Sequence, residues 1–251
     1  MIGCLIYLLC LPNVSELKKS NPKTTALIEL RKKQAAVKKQ KLQTQYFWVP
    51  MSGISDYLVQ AVILAEDDTF YQHHGFDWEQ IQLALHENWK KKKYSYGAST
   101  ITQQLARTLY LSPGKHLYRK IKEAFITVQL EHTLSKKRIL ELYLNVAEWG
   151  KGIYGVQAAA EYYFGKSAID LTPDESIALA SILPSPRRWS PFSERAFMAR
   201  RRTQLHELME ANGLLPNPDI ESDSDNDINP VNNLQGNSDS KTDNSVPVGN
   251  P

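Results

Sequence analysis

Gly97-Ala98-Ser99-Thr100-Ile101-Thr102-Gln103-Gln104-Leu105-Ala106-Arg107-Thr108-Leu109-Tyr110-Leu111 carries the clearest structural signal in the chain. Ile101, Leu105, Thr108 and Leu109 fall at helical spacing and make one buried face, while Thr100, Gln103, Gln104 and Arg107 line another. The second face holds hydroxyls, amides and a single charge. It suits sugar hydroxyls or amide groups, whereas an ordinary solvated face more often carries Lys and Glu. Outward from this stretch the helical period keeps returning and strand alternation is almost absent. Thr172, Pro173 and Glu175 stand as N-cap, first helical residue and capping-box acid of a helix stopped by Pro184 and Pro186. Ser135 caps a helix with Ile139, Leu140, Tyr143 and Leu144 inside and Lys136, Lys137 and Arg138 toward solvent. A last helix is expected over residues 193–212, closed by Gly213. The expectation is a mainly α domain over residues 45–214.

The flanks differ from that domain. Residues 1–12 include an apolar run from Ile2 to Leu11, about half of the roughly 20 residues a spanning helix needs. It reads as the end of a transmembrane helix that starts upstream, a signal remnant or a buried N-terminal strand. Residues 13–44 form a basic lead-in, and residues 215–251 read as a disordered acidic tail rich in Asn, Asp and Ser. With 42% apolar and 23% charged residues, collagen, complete disorder and a multi-span membrane protein are excluded. The net charge of +3 conceals an asymmetry: seven acids and one Lys beyond residue 216 leave −6 there and +9 before it. Such an excess favours an anionic partner, whether nucleic acid, lipid headgroups or a phosphate-bearing substrate. Cys4 and Cys10 both lie in the apolar run, so the folded part must rely on its core, and no zinc spacing exists.

Two more segments carry chemistry. Ala65-Glu66-Asp67-Asp68-Thr69-Phe70-Tyr71-Gln72-His73-His74-Gly75-Phe76-Asp77 follows an apolar helical stretch containing Leu58, Val59, Val62 and Ile63. Its acids fall where that helix should end, against the negative end of the macrodipole, and so ask for a compensating role. Two histidines among carboxylates raise a metal reading, but their spacing matches no zinc pattern. Arg119-Lys120-Ile121-Lys122-Glu123 opens a helix whose apolar face reads as Ile121, Ala124, Phe125 and Val128, with Arg119, Lys120 and Glu123 opposite. On spacing alone these charges are helix salt bridges, each contributing about 0.2 to 0.5 kcal/mol. Lys90, Lys91, Lys92 and Lys93 read as solvated or lipid-facing.

In order and interval, the three segments resemble the peptidoglycan glycosyltransferase family, glycosyltransferase family 51, and in particular its monofunctional biosynthetic members. The family's E-D-x-x-F-x-x-H-x-G is matched by Glu66, Asp67, Phe70, His73 and Gly75, its G-[GA]-S-T-I-[ST]-Q-Q-L by residues 97–105, and its R-K-x-x-E by Arg119, Lys120 and Glu123. Arg138 through Asn145 and Gly152 through Val156 fit later blocks. The resemblance implies a lysozyme-like, two-lobed helical domain whose smaller lobe lies against the membrane. It implies transfer of a growing glycan from undecaprenyl pyrophosphate to the 4-hydroxyl of lipid II, with inversion, on the extracytoplasmic face of a bacterial cytoplasmic membrane. Other cell-wall synthesis proteins would be partners, and nucleic acid would not.

The same resemblance distributes roles. Glu66 is the expected base, Arg107, Arg119 and Lys120 the cations for the departing pyrophosphate, and Glu123 a carboxylate that holds those cations or a donor group in place. Asp67, Phe70, His73, Ser99, Thr100, Gln103 and Gln104 would shape the sugar and phosphate subsites. At Arg107 the family usually has Lys, a point charge in place of a planar fork. A divalent ion, Mg or Mn, is commonly needed, with no ligand assignable from this sequence. The polar stretch after residue 215 is too short for a transpeptidase domain, and Ser15 to Lys18 (S-x-x-K) and Ser224 to Asn226 (S-D-N) are chance matches with no K-T-G after them. Two rival readings stand beside this one. A lysozyme-like glycan-cleaving enzyme would not need the cation cluster, and a basic nucleic-acid-binding helical protein has no recognition motif in its support.

Overall fold

The computed structural model describes residues 11–91, 97–112 and 117–216. The apolar run up to Cys10, Lys92 and Lys93, and the acidic tail from residue 217 lie outside the described residues. Within them the helices are α1 (Ala26–Val37), α2 (Asp56–Glu66), α3 (Trp78–Lys91), α4 (Ile101–Tyr110), α5 (Leu117–Thr133), α6 (Lys136–Val146), α7 (Val156–Phe164), α8 (Pro173–Ile182) and α9 (Ala196–Ala211). Three short strands, β1 (Gln45–Tyr46), β2 (Glu148–Gly150) and β3 (Ile153–Tyr154), form a sheet in the order β1-β3-β2. β1 runs parallel to β3, pairing Gln45 with Ile153, and β2 runs antiparallel to β3 with an irregularity between Glu148 and Gly150. Segments of two or three residues are too short to show alternation, which is why the sequence gives no sign of the sheet.

The expected helix boundaries have the expected causes. At α8 the Thr172 side chain accepts from the Glu175 N–H, the Glu175 carboxylate accepts from the Thr172 N–H, and Pro173 takes the first turn. At α6 the Ser135 hydroxyl accepts from the Arg138 N–H. Helix α9 begins three residues later than its polar lead suggests, because Ser190 accepts from the Phe192 and Ser193 N–H groups and turns the chain there. It closes at Gly213, where φ is +65° and the Leu214 N–H reaches back to the Met209 carbonyl.

Helix α2 packs most extensively on α8 and also on α9, while α4 is clasped by α5 and α6. Leu58, Val62, Leu105, Ile126, Leu140, Trp149 and Leu179 are fully buried between these layers. Each such aliphatic side chain contributes about 1.5 to 3 kcal/mol by leaving water. The described residues through Leu215 form one compact unit that takes in the basic lead-in. Val14, Leu17 and Ile28 are buried in it, and Arg31 of α1 pairs with Glu148 of β2 at 2.8 Å.

Two expectations are corrected. On α5 the apolar face read from the sequence is the outer one: Ile121, Phe125 and Val128 are 39%, 47% and 54% exposed, and Glu123, Ile126, Thr127 and Leu130 point inward. Helical spacing groups residues into faces but does not say which face the neighbours cover. Arg138 and Lys136 do not face solvent. Arg138 donates to the carbonyls of Leu17 and Ser20 and to Asn21, which ties the lead-in to α6. Lys136 pairs with Glu131 at 2.9 Å and lies 4.5 Å from the Phe70 ring centroid.

Gly152 marks the tightest backbone approach in the sheet region. Its φ is +83°, its carbonyl accepts from the Gln45 N–H at 2.9 Å, and a Cβ there would lie 2.3 Å from the Gln43 carbonyl oxygen. Gly152→Ala is expected to destabilise the fold by about 1 to 3 kcal/mol or more. Chemical denaturation should show a lower midpoint at unchanged slope. An unchanged midpoint would mean that β1 is not held this way.

Candidate active site

The acids at the end of α2 find their compensation in space. Asp67 follows the last turn and its own N–H closes onto Ile63. Its carboxylate, almost fully buried, accepts from the Ile101 N–H at 2.9 Å. Ile101 opens α4, so Asp67 sits at the positive end of a second helix and satisfies one of its orphan donors. The other Asp67 oxygen lies 2.8 Å from His73 Nε2. The Gly75 N–H donates to His73 Nδ1, which assigns the ring proton to Nε2 and makes it the donor to Asp67. The Thr100 hydroxyl donates to the Gly75 carbonyl at 2.8 Å. Gly75 itself has φ +92°, and a Cβ there would lie 2.7 Å from Thr127 Cγ2. The loop after α2 is thus pinned to the start of α4 and to α5.

With its neighbour anchored, Glu66 faces a cleft of about 260 Å³ lined also by Asp68, Asp77, Ser99 and Thr100. Its side chain is 10% exposed. Gln104 Nε2 donates to one carboxylate oxygen at 2.9 Å, and Arg201 of α9 approaches the other at 3.5 Å. The Tyr143 hydroxyl donates to Gln104 Oε1 at 3.0 Å, so the amide is held with its NH₂ toward Glu66. Burial pushes the Glu66 carboxyl above the usual carboxylate range, against the Gln104 hydrogen bond and the charges of Arg201 and Arg107, which pull it down. Burial also pushes the Tyr143 phenol well above its ordinary value, which keeps it a donor.

One turn along α4 from Gln104, Arg107 lies 3.9 Å from Glu123. Glu123 has no solvent exposure; Arg119 approaches one of its oxygens at 3.2 Å and Lys120 pairs with the other. Three partly exposed cations therefore surround one buried carboxylate, and the cluster keeps an excess of two positive charges. Helix α4 joins the two centres, since it presents Gln104 to Glu66 and Arg107 to Glu123, and the Arg107 charge is felt at Glu66.

The remaining expected site residues divide by placement. Ser99 and Thr100 border the cleft, and the Ser99 carbonyl accepts from Gln104 at 3.3 Å. Thr100 and Gln103 are buried and cap α4 reciprocally, so Gln103 belongs to the helix start and not to the polar face read from the sequence. Phe70 is fully buried, its ring set edge-on to that of His73 with centroids 6.4 Å apart, and neither residue lines the cleft. Arg201 and Tyr143 were not anticipated. Tyr143 reads as an apolar position on α6, and Arg201 is one of three consecutive arginines, 135 residues from Glu66. No local spacing signals either contact.

One short helix thus brings together a shielded carboxylate and a cation cluster, an arrangement suited to transferring a glycosyl group away from an anionic leaving group. A transglycosylase family profile matches residues 33–210, and the chain belongs to that family. It is 51% identical over 169 residues to a protein of Aromatoleum aromaticum named biosynthetic peptidoglycan transglycosylase, covering 67% of this chain and 74% of that one. Proteins of the same name from an Azoarcus species and from Alcanivorax borkumensis are 48% identical over 180 residues and 47% over 186. These matches cover 72% of this chain and 76% of the Azoarcus protein, and 74% of this chain and 73% of the Alcanivorax one.

The Glu66 environment predicts a pH effect. With Glu66 in its expected role as base, which it can fill only when ionised, kcat/KM should fall on acidification at a higher pH than an ordinary carboxylate would give. Gln104→Leu and Arg201→Met each remove an influence that lowers the Glu66 pKa, so each should move this acid limb to still higher pH. Profiles that superimpose on the unsubstituted protein's would exclude Glu66 as the titrating group.

Proposed function

We propose that this transglycosylase polymerises glycan chains from lipid II, with Glu66 as general base and the Glu123-centred cations as the pyrophosphate site. The observation that carries the reading is the single helix α4, whose Gln104 and Arg107 reach the two centres. The acceptor's 4-hydroxyl attacks the donor's anomeric carbon from the face opposite the pyrophosphate. As the new C–O bond forms, Glu66 takes the hydroxyl proton. The old C–O bond breaks and its electron pair leaves with the pyrophosphate. One displacement inverts the configuration and yields a β-1,4 bond.

The division of labour between the carboxylates follows from their surroundings. Glu66 borders open space and is made more basic by burial, so it can receive a proton. Glu123 is fully enclosed with both oxygens engaged by cations, so it orients Arg107, Arg119 and Lys120. Their surplus charge is matched to a leaving group that becomes more negative in the transition state. Glycan cleavage by a lysozyme-like enzyme releases no pyrophosphate and leaves this cluster without a task.

Family membership places the protein's work in the cell envelope. We further propose action at the outer surface of the cytoplasmic membrane, where lipid-linked substrates reside. No helix among the described residues is long and apolar enough to cross a membrane. No three carboxylate, histidine or cysteine groups among the described residues converge to hold a metal ion. Any divalent ion is therefore proposed to arrive with the substrate's pyrophosphate, and no step above runs through it.

Labelled lipid II tests these roles. Glu66→Gln should keep the fold and lipid II binding while polymerisation falls by about 10² to 10⁴. Near-normal turnover would remove Glu66 as the base. Lys120→Ala should raise the KM for a lipid-linked glycan donor more than that for the acceptor, and equal effects would argue against a pyrophosphate role.

A further inference from the structure

The connection between α8 and α9 is held in one shape although nothing in the catalytic cleft requires it. Pro184, Pro186 and Pro191 stiffen it. The Arg188 and Trp189 N–H groups donate to the Ser185 carbonyl at 2.9 and 3.1 Å. Arg202 Nη1 donates to the carbonyls of Pro191 and Ser193 at 3.3 and 2.9 Å. This frame displays aromatic rings to water: Phe192 and Phe197 are each 60% exposed. The guanidinium groups of Arg188 and Arg195 lie 4.8 and 5.8 Å from the Trp189 ring centroid, and the Phe197 ring lies 5.8 Å from it.

Two concavities meet at Phe192. One of about 450 Å³ is lined by Arg188, Trp189 and Arg195 with two serines and no acid. The other, about 850 Å³, is bordered by Asp174, Arg202, His206 and Glu207. Neither shares a residue with the Glu66 cleft or the Glu123 cluster. A single exposed ring is unremarkable on any protein surface, but rings gathered on a rigid frame beside two hollows point to a ligand.

We infer that this groove is a second, non-catalytic site that binds an anionic β-1,4-linked glycan strand, the product class of the reaction proposed above, on which the inference rests. Each chemical demand of such a strand has a counterpart. The C–H face of a pyranose stacks on an exposed ring such as Phe192. Carboxylates of the short peptides that the sugars carry meet Arg188 and Arg195, whose planar donors match them. Sugar hydroxyls meet Asp174 and Glu207 as acceptors. An anionic lipid surface fits less well, because it brings no row of sugar hydroxyls to Asp174, Glu194 and Glu207, which border the hollow beside the one that holds the arginines. Placement supports the role, since Arg201 and Arg202 are consecutive on α9. The first approaches Glu66 and the second braces the groove's loop. A strand seated here stays attached to the domain that extends it.

The test uses the Glu66→Gln protein, so that binding is read without turnover. Calorimetric titration compares soluble glycan strands that keep their anionic stem peptides with chitin oligosaccharides, which share the β-1,4 backbone without charge. The anionic strands should bind more tightly. Arg188→Ala with Arg195→Ala should weaken them about tenfold, to the level of chitin, and Phe192→Ala should weaken both ligands. In the active protein the same substitutions should leave formation of the first bond from lipid II unchanged and shorten the product strands. Strand binding that is absent, or equal in the groove variants, would overturn the inference. So would groove variants that lose only their binding to anionic phospholipid vesicles. Normal lipid II polymerisation alongside either result leaves the transferase reading intact, whereas failure of wild-type polymerisation would strike that reading and not the binding measurement.

Discussion

The contact on which the rest depends is the Asp67 carboxylate held at the N-terminus of α4. An acid at the end of one helix is electrostatically misplaced, and the same acid at the start of another is stabilised by its unpaired N–H groups and dipole. Asp67 has both positions at once, so the end of α2 and the start of α4 are fixed to each other. His73, Gly75 and Thr100 complete the knot. Glu66, one residue before Asp67, inherits its position from that knot. Gln104 and Arg107 inherit theirs from the same helix start.

From this constraint the two glutamates acquire different chemistry. Both are shielded from water, yet their surroundings act on them in different ways. Around Glu66 the dominant influence is desolvation, tempered by an amide and by arginines at a distance. Around Glu123 the cations are in contact, two of them from its own helix α5. In the proposed mechanism identical side chains thus serve as proton acceptor and charge clamp. Catalysis by preorganisation needs such groups fixed before the substrate arrives, and the buried Tyr143 and the partly buried Gln104 supply that fixity beside Glu66.

Helix α9 extends the same economy of parts. Its buried residues, Met198, Leu205 and Met209, pack it on the core. Arg201 reaches Glu66 and the carbonyl at the end of α8, and Arg202 holds the α8–α9 connection. Rigidity at the cleft and rigidity of the aromatic groove therefore share one helix. Burial of Met198 and its neighbours is what makes both arginines directional, since a frayed helix would hold neither.

Local patterning by itself determined where helices begin and end at α6 and α8, because a cap, a proline and the residue three positions on act within one turn. The order and spacing of three motifs together also carried the resemblance that singles out Glu66, Arg107, Arg119, Lys120 and Glu123, although spacing by itself makes the last three an ordinary helix salt-bridge cluster. The tertiary structure alone decided which face of α5 is buried, and so turned Glu123 inward and Ile121, Phe125 and Val128 outward. It alone brought Arg201 across 135 residues to Glu66 and drew Tyr143 into the hydrogen-bond chain. The physical reason is range: capping and periodicity are set by near neighbours along the chain, whereas burial and charge pairing are set by whatever the other helices place opposite.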